Sequence, residues 1–153
     1  MKTFRSLFYL LLAFITISLV SCDDDDDGND IVAPSRMELL TQKEWYGMSL
    51  YANGQDITQM MADSIDLDLR EWNLKLDKNG TYISTFDNMP SENGKWEFAN
   101  SEQEIVFDKG TQNEDKASIA RLTSTELFLD QTWQLEDEEG NPVSLAVEMR
   151  FGH

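Results

Sequence analysis

Apolar and polar residues alternate along most of the chain after residue 42, which is the pattern of half-buried β-strands. The clearest case is 143–151, VSLAVEMRF, where every second residue is apolar without a break. Turn residues such as Asn53-Gly54 and the DKNG run at 77–80 separate the alternating stretches at short intervals. The pattern predicts strands over 43–52, 66–76, 81–86, 95–99, 104–108, 115–123, 126–136 and 143–151.

Residues 56–65, DITQMMADSI, interrupt this alternation. Ile57, Met60 and Met61 fall three and four residues apart, which is the spacing of one face of a helix. Asp56 is placed to cap its first turn. The segment predicts a short amphipathic helix between the first and second strands.

Eight antiparallel strands joined by short turns are typical of a sandwich or a barrel. Closing the sheet removes two exposed edges, and eight strands enclose either packed side chains or one small ligand. We therefore predict an all-β, eight-stranded antiparallel up-and-down barrel over residues 37–153. Within it, the second strand changes phase near Arg70, which predicts a bulge or bend, and SENG at 91–94 predicts a turn.

The aromatic residues on the inward phases have two interpretations. They fill the barrel as a core, or they line a ligand cavity that the helix covers with its adaptable methionines. Gln131, in phase with Leu129 and Trp133, is either a polar contact for a ligand or a solvent-facing residue. On the cavity hypothesis the candidate ligand-binding residues are Met60, Met61, Trp72, Tyr82, Phe86, Trp96, Phe98, Gln131 and Trp133.

Residues 1–21 do not alternate in this way and instead have the pattern of a signal peptide. Lys2 and Arg5 precede an apolar run, 7–20, that has the length of a signal-peptide core and is short for a membrane span. The residues Leu19-Val20-Ser21-Cys22 resemble the lipobox of bacterial lipoproteins. This resemblance implies cleavage before Cys22, a diacylglycerol on its sulfur and an acylated amine. Two or three acyl chains would hold the protein on a membrane.

Five consecutive aspartates, Asp23–Asp27, follow this cysteine. They repel one another and cannot pack a core, so residues 22–36 are predicted to be an extended, solvated tether. An acidic run directly after the lipidated cysteine also resembles the surface-export signal of Bacteroidota lipoproteins. The resemblance implies a lipid-anchored protein of the outer membrane that reaches the cell surface.

Composition excludes several function classes. The chain carries 29 acidic against 12 basic residues, a net charge of −17, which argues against nucleic-acid binding. Cys22 is the one cysteine and the terminal His153 the one histidine, which leaves no thiol nucleophile, catalytic triad or histidine-based zinc site. Most acids, such as Glu97 and Asp108, fall at polar phases or in turns, unlike a glycosidase pair. We expect a monomer without enzymatic activity, cofactor or metal.

Four stretches carry a further resemblance: LLTQKEWYGMSLYANGQDIT, LDKNGTYIST, NGKWEF and ARLTSTELFL. They are similar to the lipocalin-like domains of Bacteroidota lipoproteins, over most of residues 39–151. Lipocalins usually carry Gly-x-Trp in the first strand, where this chain has Lys43 before Trp45. The resemblance implies a barrel in which Arg150 of the last strand packs on Trp45 as a cation–π pair.

Two functions follow from these observations. The first is non-catalytic binding of a small hydrophobic or amphipathic molecule inside the barrel. The second is a filled barrel that acts as an interaction or accessory module of a cell-surface complex. Cavity volume separates them, because a ligand site needs several hundred Å³, whereas an exposed apolar patch over a packed interior favours a protein partner.

Overall fold

The computed structural model describes residues 33–87, 89, 91–137 and 139–153. Cys22 and the aspartates 23–27 lie outside the described residues, so the anchor and the tether stay predictions. In the described part of the chain, no helix is long and apolar enough to cross a bilayer. Residues Ala33–His153 form one compact unit with its own apolar core, which is what allows a domain to fold by itself.

The unit consists of nine strands, two α-helices and one 3₁₀ turn. The helices are α1 (Arg36–Thr41) and α2 (Thr58–Ile65), and the 3₁₀ turn covers Leu69–Glu71. The strands are β1 (Trp45–Ala52), β2 (Gln55–Asp56), β3 (Trp72–Leu76), β4 (Thr81–Phe86), β5 (Glu92–Ala99), β6 (Glu104–Phe107), β7 (Asp115–Leu122), β8 (Glu126–Glu136) and β9 (Pro142–Gly152).

The strands close into a barrel. Each strand from β3 to β8 pairs antiparallel with the next one along the chain, and β1 pairs with both β3 and β9. The two-residue β2 only extends the end of β1 as a hairpin. The predicted eight-stranded up-and-down barrel, with a short helix between its first and second strands, is confirmed.

The alternation in the sequence becomes the inside and outside of this barrel. Leu127 lies opposite Phe151 and Leu129 opposite Met149 across the β8–β9 pair, and all four are buried. Their apolar side chains face inward because side chains of a strand alternate between its two faces. The buried core is completed by Leu40, Trp45, Leu50, Ala52, Ile57, Met61, Leu69, Leu74, Leu76, Tyr82, Trp96, Ile105, Ala117 and Val147.

Helix α1 closes one end of the barrel. It begins with a capping box in which the Ser35 side chain accepts from the Glu38 N–H and the Glu38 carboxylate accepts from the Ser35 N–H. Leu40 is fully buried, and its carbonyl accepts a hydrogen bond from Trp45 Nε1 at 2.9 Å. The Ser-x-x-Glu spacing signals such a helix start, although the strand pattern did not predict the helix.

We call the α1 end the closed end of the barrel. The turns at 77–80, 100–103 and 123–125 lie at this end, since consecutive turns of a meander alternate between ends. The opposite end, which we call the open end, carries the connections 87–91 and 108–114 together with the β1–β2 and β8–β9 turns.

The predicted strand over 66–76 is wrong in its first half. Asp68 accepts from the Arg70 N–H at 3.0 Å and starts a 3₁₀ turn. Leu69 is fully buried, and its carbonyl lies so close to Gly47 of β1 that a Cβ there would be 1.8 Å away. The change of phase near Arg70 therefore reflects a turn that packs on β1, with the strand starting only at Trp72.

The predicted turn at 91–94 is also wrong, because β5 already starts at Glu92. Glu92 pairs with Ser84 and Gly94 pairs with Tyr82. The polar and glycine-containing run reads as a turn in the sequence, but it forms the first half of a barrel strand.

The predicted contact between Arg150 and Trp45 is replaced by two others. Phe151 faces the core, so its neighbour Arg150 points outward, where its guanidinium lies 3.8 Å from the centre of the Tyr51 ring and 4.8 Å from that of Phe128. The Trp45 ring stacks instead on His153, with 3.9 Å between ring centres.

Candidate functional site

A cavity of about 530 Å³ occupies the interior towards the open end. Its floor and walls are buried side chains, namely Leu74, Tyr82, Ala117, Leu129, Met149 and Phe151. Its rim consists of the exposed residues Ser91, Glu92, Asn93, Asn113 and Asp115. Buried walls and an exposed rim make it a pocket that solvent reaches from one side, and its volume is in the range of small-molecule sites.

Aromatic rings form much of its apolar wall. Tyr82 and Phe107 meet edge to face with ring centres 5.1 Å apart, and Trp72 meets Phe151 in the same way at 6.0 Å. These contacts fix the rings without filling the space between the two pairs. Trp72 is anchored further because its Nε1 donates to Ser84 Oγ at 2.6 Å.

Small side chains at inward strand positions keep the cavity empty. Ser84 and Ala117 line the cavity from inward positions of β4 and β7, where larger side chains would project into the space. At Gly94 the space is taken by another group, since a Cβ there would lie 2.2 Å from Asp108 Oδ1. The glycine therefore admits the Asp108 carboxylate into the barrel wall.

Asp108 holds a fixed position at the cavity. It follows β6 with a left-handed φ of 46°, an uncommon conformation for a residue other than glycine. Its Oδ2 accepts from the Tyr82 hydroxyl at 2.8 Å and its Oδ1 from the Lys95 N–H at 2.9 Å. Burial, followed by this hydrogen bond to Asp108, raises the pKa of Tyr82, which keeps the hydroxyl a donor.

A second polar chain crosses the rim between β7 and β8. Trp133 Nε1 donates to Gln131 Oε1 at 2.9 Å, and Gln131 Nε2 donates to the Asp115 carboxylate. Asp115 also accepts from the Lys116 N–H at 2.8 Å. Gln131 is thus oriented by both neighbours and presents its amide to the cavity.

The predicted site residues separate into groups. Trp72, Tyr82 and Gln131 line the cavity. Trp96 and Phe98 pack edge to face at 5.2 Å, and Trp96 Nε1 donates to the Asp77 carbonyl at 3.1 Å, which places this pair in the closed half. Phe86 and Trp133, both half-buried, lie on β4 and β8 outside the described lining.

The two methionines of α2 have different surroundings. Met61 is 6% exposed and belongs to the core, whereas Met60 is 55% exposed. Thr58 at the start of the helix accepts from the Leu50 N–H at 2.8 Å, so α2 packs against β1. Neither methionine is among the described residues that line the cavity.

Sequence reasoning missed the acidic part of the site. The sequence pattern puts Asp108 at a polar phase or in a turn, at the end of the predicted strand 104–108, but its carboxylate lies in the barrel wall. Asp115 could have been found by phase, because it stands two residues before the inward Ala117. Glu92 stands four residues before the inward Trp96 and shares its phase. The same alternation would have identified it if the predicted strand 95–99 had started at residue 92.

Among the described residues, no group of three or more His, Cys, Asp or Glu side chains is arranged to hold a metal ion. The chain matches no protein-family model, and a search of curated proteins found no match. The geometry of the cavity therefore carries the functional argument.

Proposed function

We propose that this protein binds a small hydrophobic or amphipathic molecule in the barrel cavity without transforming it. The observation that carries the proposal is the cavity of about 530 Å³, walled by buried apolar residues and bordered by an exposed polar rim. A packed interior would offer no such space. The resemblance of the sequence to lipocalin-like domains points to the same class of activity.

The ligand would place its apolar part between the two aromatic pairs. Trp72 and Phe151 form one pair and Tyr82 and Phe107 the other; all four line the cavity, and each pair is held in an edge-to-face contact. Binding buries apolar surface, which contributes roughly 25 cal/mol per Å² before the costs of association. The polar groups of the ligand would remain at the rim, near Gln131 and Asn113.

Native mass spectrometry on residues 33–153, before and after organic extraction, tests this proposal. We expect a bound mass that leaves on extraction, or an added mass after incubation with dodecanol. The variant Ala117→Leu extends a side chain into the cavity and should abolish binding. Ser118→Leu, the outward neighbour on β7, is the matched control and should bind normally. Binding that survives in Ala117→Leu would place the ligand elsewhere.

A filled-barrel interaction module is the second candidate. Tyr46 and Met48 lie two residues apart on β1 and are both about half exposed, and neighbouring exposed apolar side chains on one face of a strand support a partner surface. A protein that stays at its sequence mass with every lipid offered would favour this alternative over ligand binding.

We also propose that the protein is anchored through Cys22 in the outer membrane, at the cell surface, with residues 23–32 as tether, since the folded unit begins at Ala33. Metabolic labelling with an alkyne fatty acid tests the anchor, since Cys22→Ser removes the sole cysteine and should abolish the label. Protease treatment of intact native cells tests exposure. Replacing the five aspartates by asparagines should keep the label and reduce surface exposure.

A further inference from the structure

We infer that the cavity selects amphiphiles that carry a protonated amine and discriminates against those that carry a carboxylate or phosphate. The inference rests on the proposed ligand-binding function and names the chemistry of the ligand's polar end. It combines three features of the cavity: the sign of the charges that line it, the fixed position of its deepest carboxylate and its aromatic walls.

Charged groups of a single sign line the cavity. Glu92, Asp108 and Asp115 contribute carboxylates, and no Lys, Arg or His belongs to the lining in the described part of the chain. A carboxylate or phosphate on a ligand would meet only like charges there, and water screens the half-buried Asp108 less than the exposed Glu92 and Asp115. An ammonium group would meet only opposite charges.

The nearest lysines in the sequence turn away from the cavity. Lys109 follows Asp108 and pairs with Glu97, which is on the outward phase of β5. Lys116 follows Asp115 and pairs with Glu114 at 3.0 Å. Both cations are engaged by other acids, so they leave the negative charge of the rim uncompensated.

Asp108 supplies a preorganised acceptor at the deepest polar position. The Tyr82 hydroxyl and the Lys95 N–H hold its two oxygens, and the missing side chain of Gly94 gives it room. A carboxylate has about four lone-pair sites, of which these donors use two. The remaining acceptor capacity is available to an ammonium group without any rearrangement of the carboxylate.

The aromatic walls favour the same charge. The faces of Trp and Tyr rings attract cations, and an ammonium group within about 6 Å of a ring centre gains from this attraction. Trp72 and Tyr82 both line the cavity whose rim bears the carboxylates. An alkylammonium ion would therefore bury its chain against the rings and leave its charged end near the acids.

The test compares three probes that share one twelve-carbon chain: dodecylamine, dodecanol and laurate. Each displaces the neutral fluorophore N-phenylnaphthylamine from residues 33–153, at probe concentrations below micelle formation. We expect dodecylamine to bind at least about tenfold more tightly than laurate, as one opposite charge within 4–6 Å shifts an ionic equilibrium by that much. Dodecanol should fall between them.

Glu92→Gln and its matched control Glu102→Gln locate the source of this preference. Both changes remove one negative charge from an exposed position, Glu92 on the inward phase of β5 at the cavity rim and Glu102 in the 100–103 turn at the closed end. Glu92→Gln should narrow the ratio of amine to laurate affinity about two- to fivefold, and Glu92→Lys should reverse or abolish it. Glu102→Gln should leave the ratio unchanged.

The outcomes separate this inference from the function it rests on. If all three probes bind with equal affinity, cavity binding stands and selection for amines is overturned. If none of them binds, the ligand-binding function itself fails. A preference for the amine that Glu102→Gln weakens as much as Glu92→Gln would come from the overall charge of −17 and would also overturn the inference.

Discussion

The same strands run through the closed and the open half of the barrel, but the closed half is packed with side chains and the open half contains a cavity. In the closed half, α1 covers the barrel end, and Trp45 fills the space beneath it with its ring against His153 and its Nε1 on the Leu40 carbonyl. In the open half, inward positions carry the small residues Ser84 and Ala117, and about 530 Å³ stays empty. The comparison shows that side-chain volume along each strand, rather than strand number, decides whether a barrel is filled.

The largest difference between the two halves is expected when Trp45→Ala is compared with Trp72→Ala. Trp45 is fully buried, whereas Trp72 is half-buried beside the cavity, and each indole N–H makes one hydrogen bond. We expect a loss of about 3–5 kcal/mol in the free energy of unfolding for Trp45→Ala. For Trp72→Ala we expect roughly half of that, since part of its surface already meets open space.

Urea unfolding of residues 33–153 measures both losses, and displacement of N-phenylnaphthylamine measures binding. Trp72→Ala should lower the affinity for the fluorophore strongly and the free energy of unfolding only moderately. Trp45→Ala should lower the free energy of unfolding strongly and the affinity only moderately. Equal losses of stability would mean that the two halves are packed alike.

Much of this architecture could be predicted from the sequence. The unbroken alternation over 143–151 and the turn at 77–80 report directly on local geometry, so β9, this turn and β4 after it are predicted almost to the residue, whereas the start of β3 is not. Closure into a barrel was predicted because it removes the two exposed edges of an eight-stranded sheet. These features depend on short-range patterns that one chain displays on its own.

The site could be predicted only in part, because its polar half depends on contacts between distant residues. Asp108 enters the wall only because Gly94, fourteen positions earlier, lacks a side chain and Tyr82 on a third strand offers a hydroxyl. No spacing rule brings these three together. The same holds for Arg150, whose partners Tyr51 and Phe128 are set by strand register.

Asp108→Asn sharpens the comparison at the polar wall of the open half. The change weakens two hydrogen bonds to a carboxylate, and we expect a loss of about 1–2 kcal/mol in unfolding free energy. It should also lower the pKa of Tyr82, because the hydrogen bond to Asp108 and its charge are two of the causes that raise it.

The sign of the pH dependence follows from that raised pKa. The contribution of Tyr82 to stability is complete below its unfolded pKa of about 10 and is lost as the pH rises further. Asp108→Asn should make the alkaline loss smaller. Tyrosinate absorbance during alkaline titration measures the change, with Tyr82→Phe as the variant that lacks this titration. An unchanged titration in Asp108→Asn would contradict the contact.

Ser35→Ala tests how much the closed half depends on its helix. Loss of the side-chain cap of α1 should cost about 1 kcal/mol at neutral pH. Ser64→Ala, at an exposed position of α2, is the control and should have little effect. A cost as small as that of Ser64→Ala would mean that packing of Leu40, and not capping, holds α1 in place.

The loss of unfolding free energy caused by Ser35→Ala should depend on pH. Hydrogen bonds from Ser35 lower the pKa of Glu38, so their stabilisation is present above the unfolded pKa of about 4.3 and is lost as the pH falls through the folded value. The difference between wild type and Ser35→Ala should therefore shrink in acid. Urea unfolding at neutral and acid pH measures it, and a difference that grows in acid would contradict this contact.

His153→Ala should cause the smallest loss of stability among these variants. The ring stacks on Trp45 and its Nδ1 lies 2.7 Å from the Glu44 carbonyl oxygen, but the residue is exposed. We expect a loss of about 0.5–1 kcal/mol and a change in tryptophan fluorescence. His153→Phe keeps the stack and should restore most of the stability. If it restores none, the contact to the carbonyl matters more than the stack.

The position of α1 and His153 has a practical consequence for handling the protein. Both extremities of the folded unit lie at the closed end, on the far side from the cavity rim. A biosensor chip, bead or fluorescent fusion partner attached at either terminus would thus leave the mouth unobstructed. Captured ligands could be counted on an immobilised layer of molecules without redesigning a single loop.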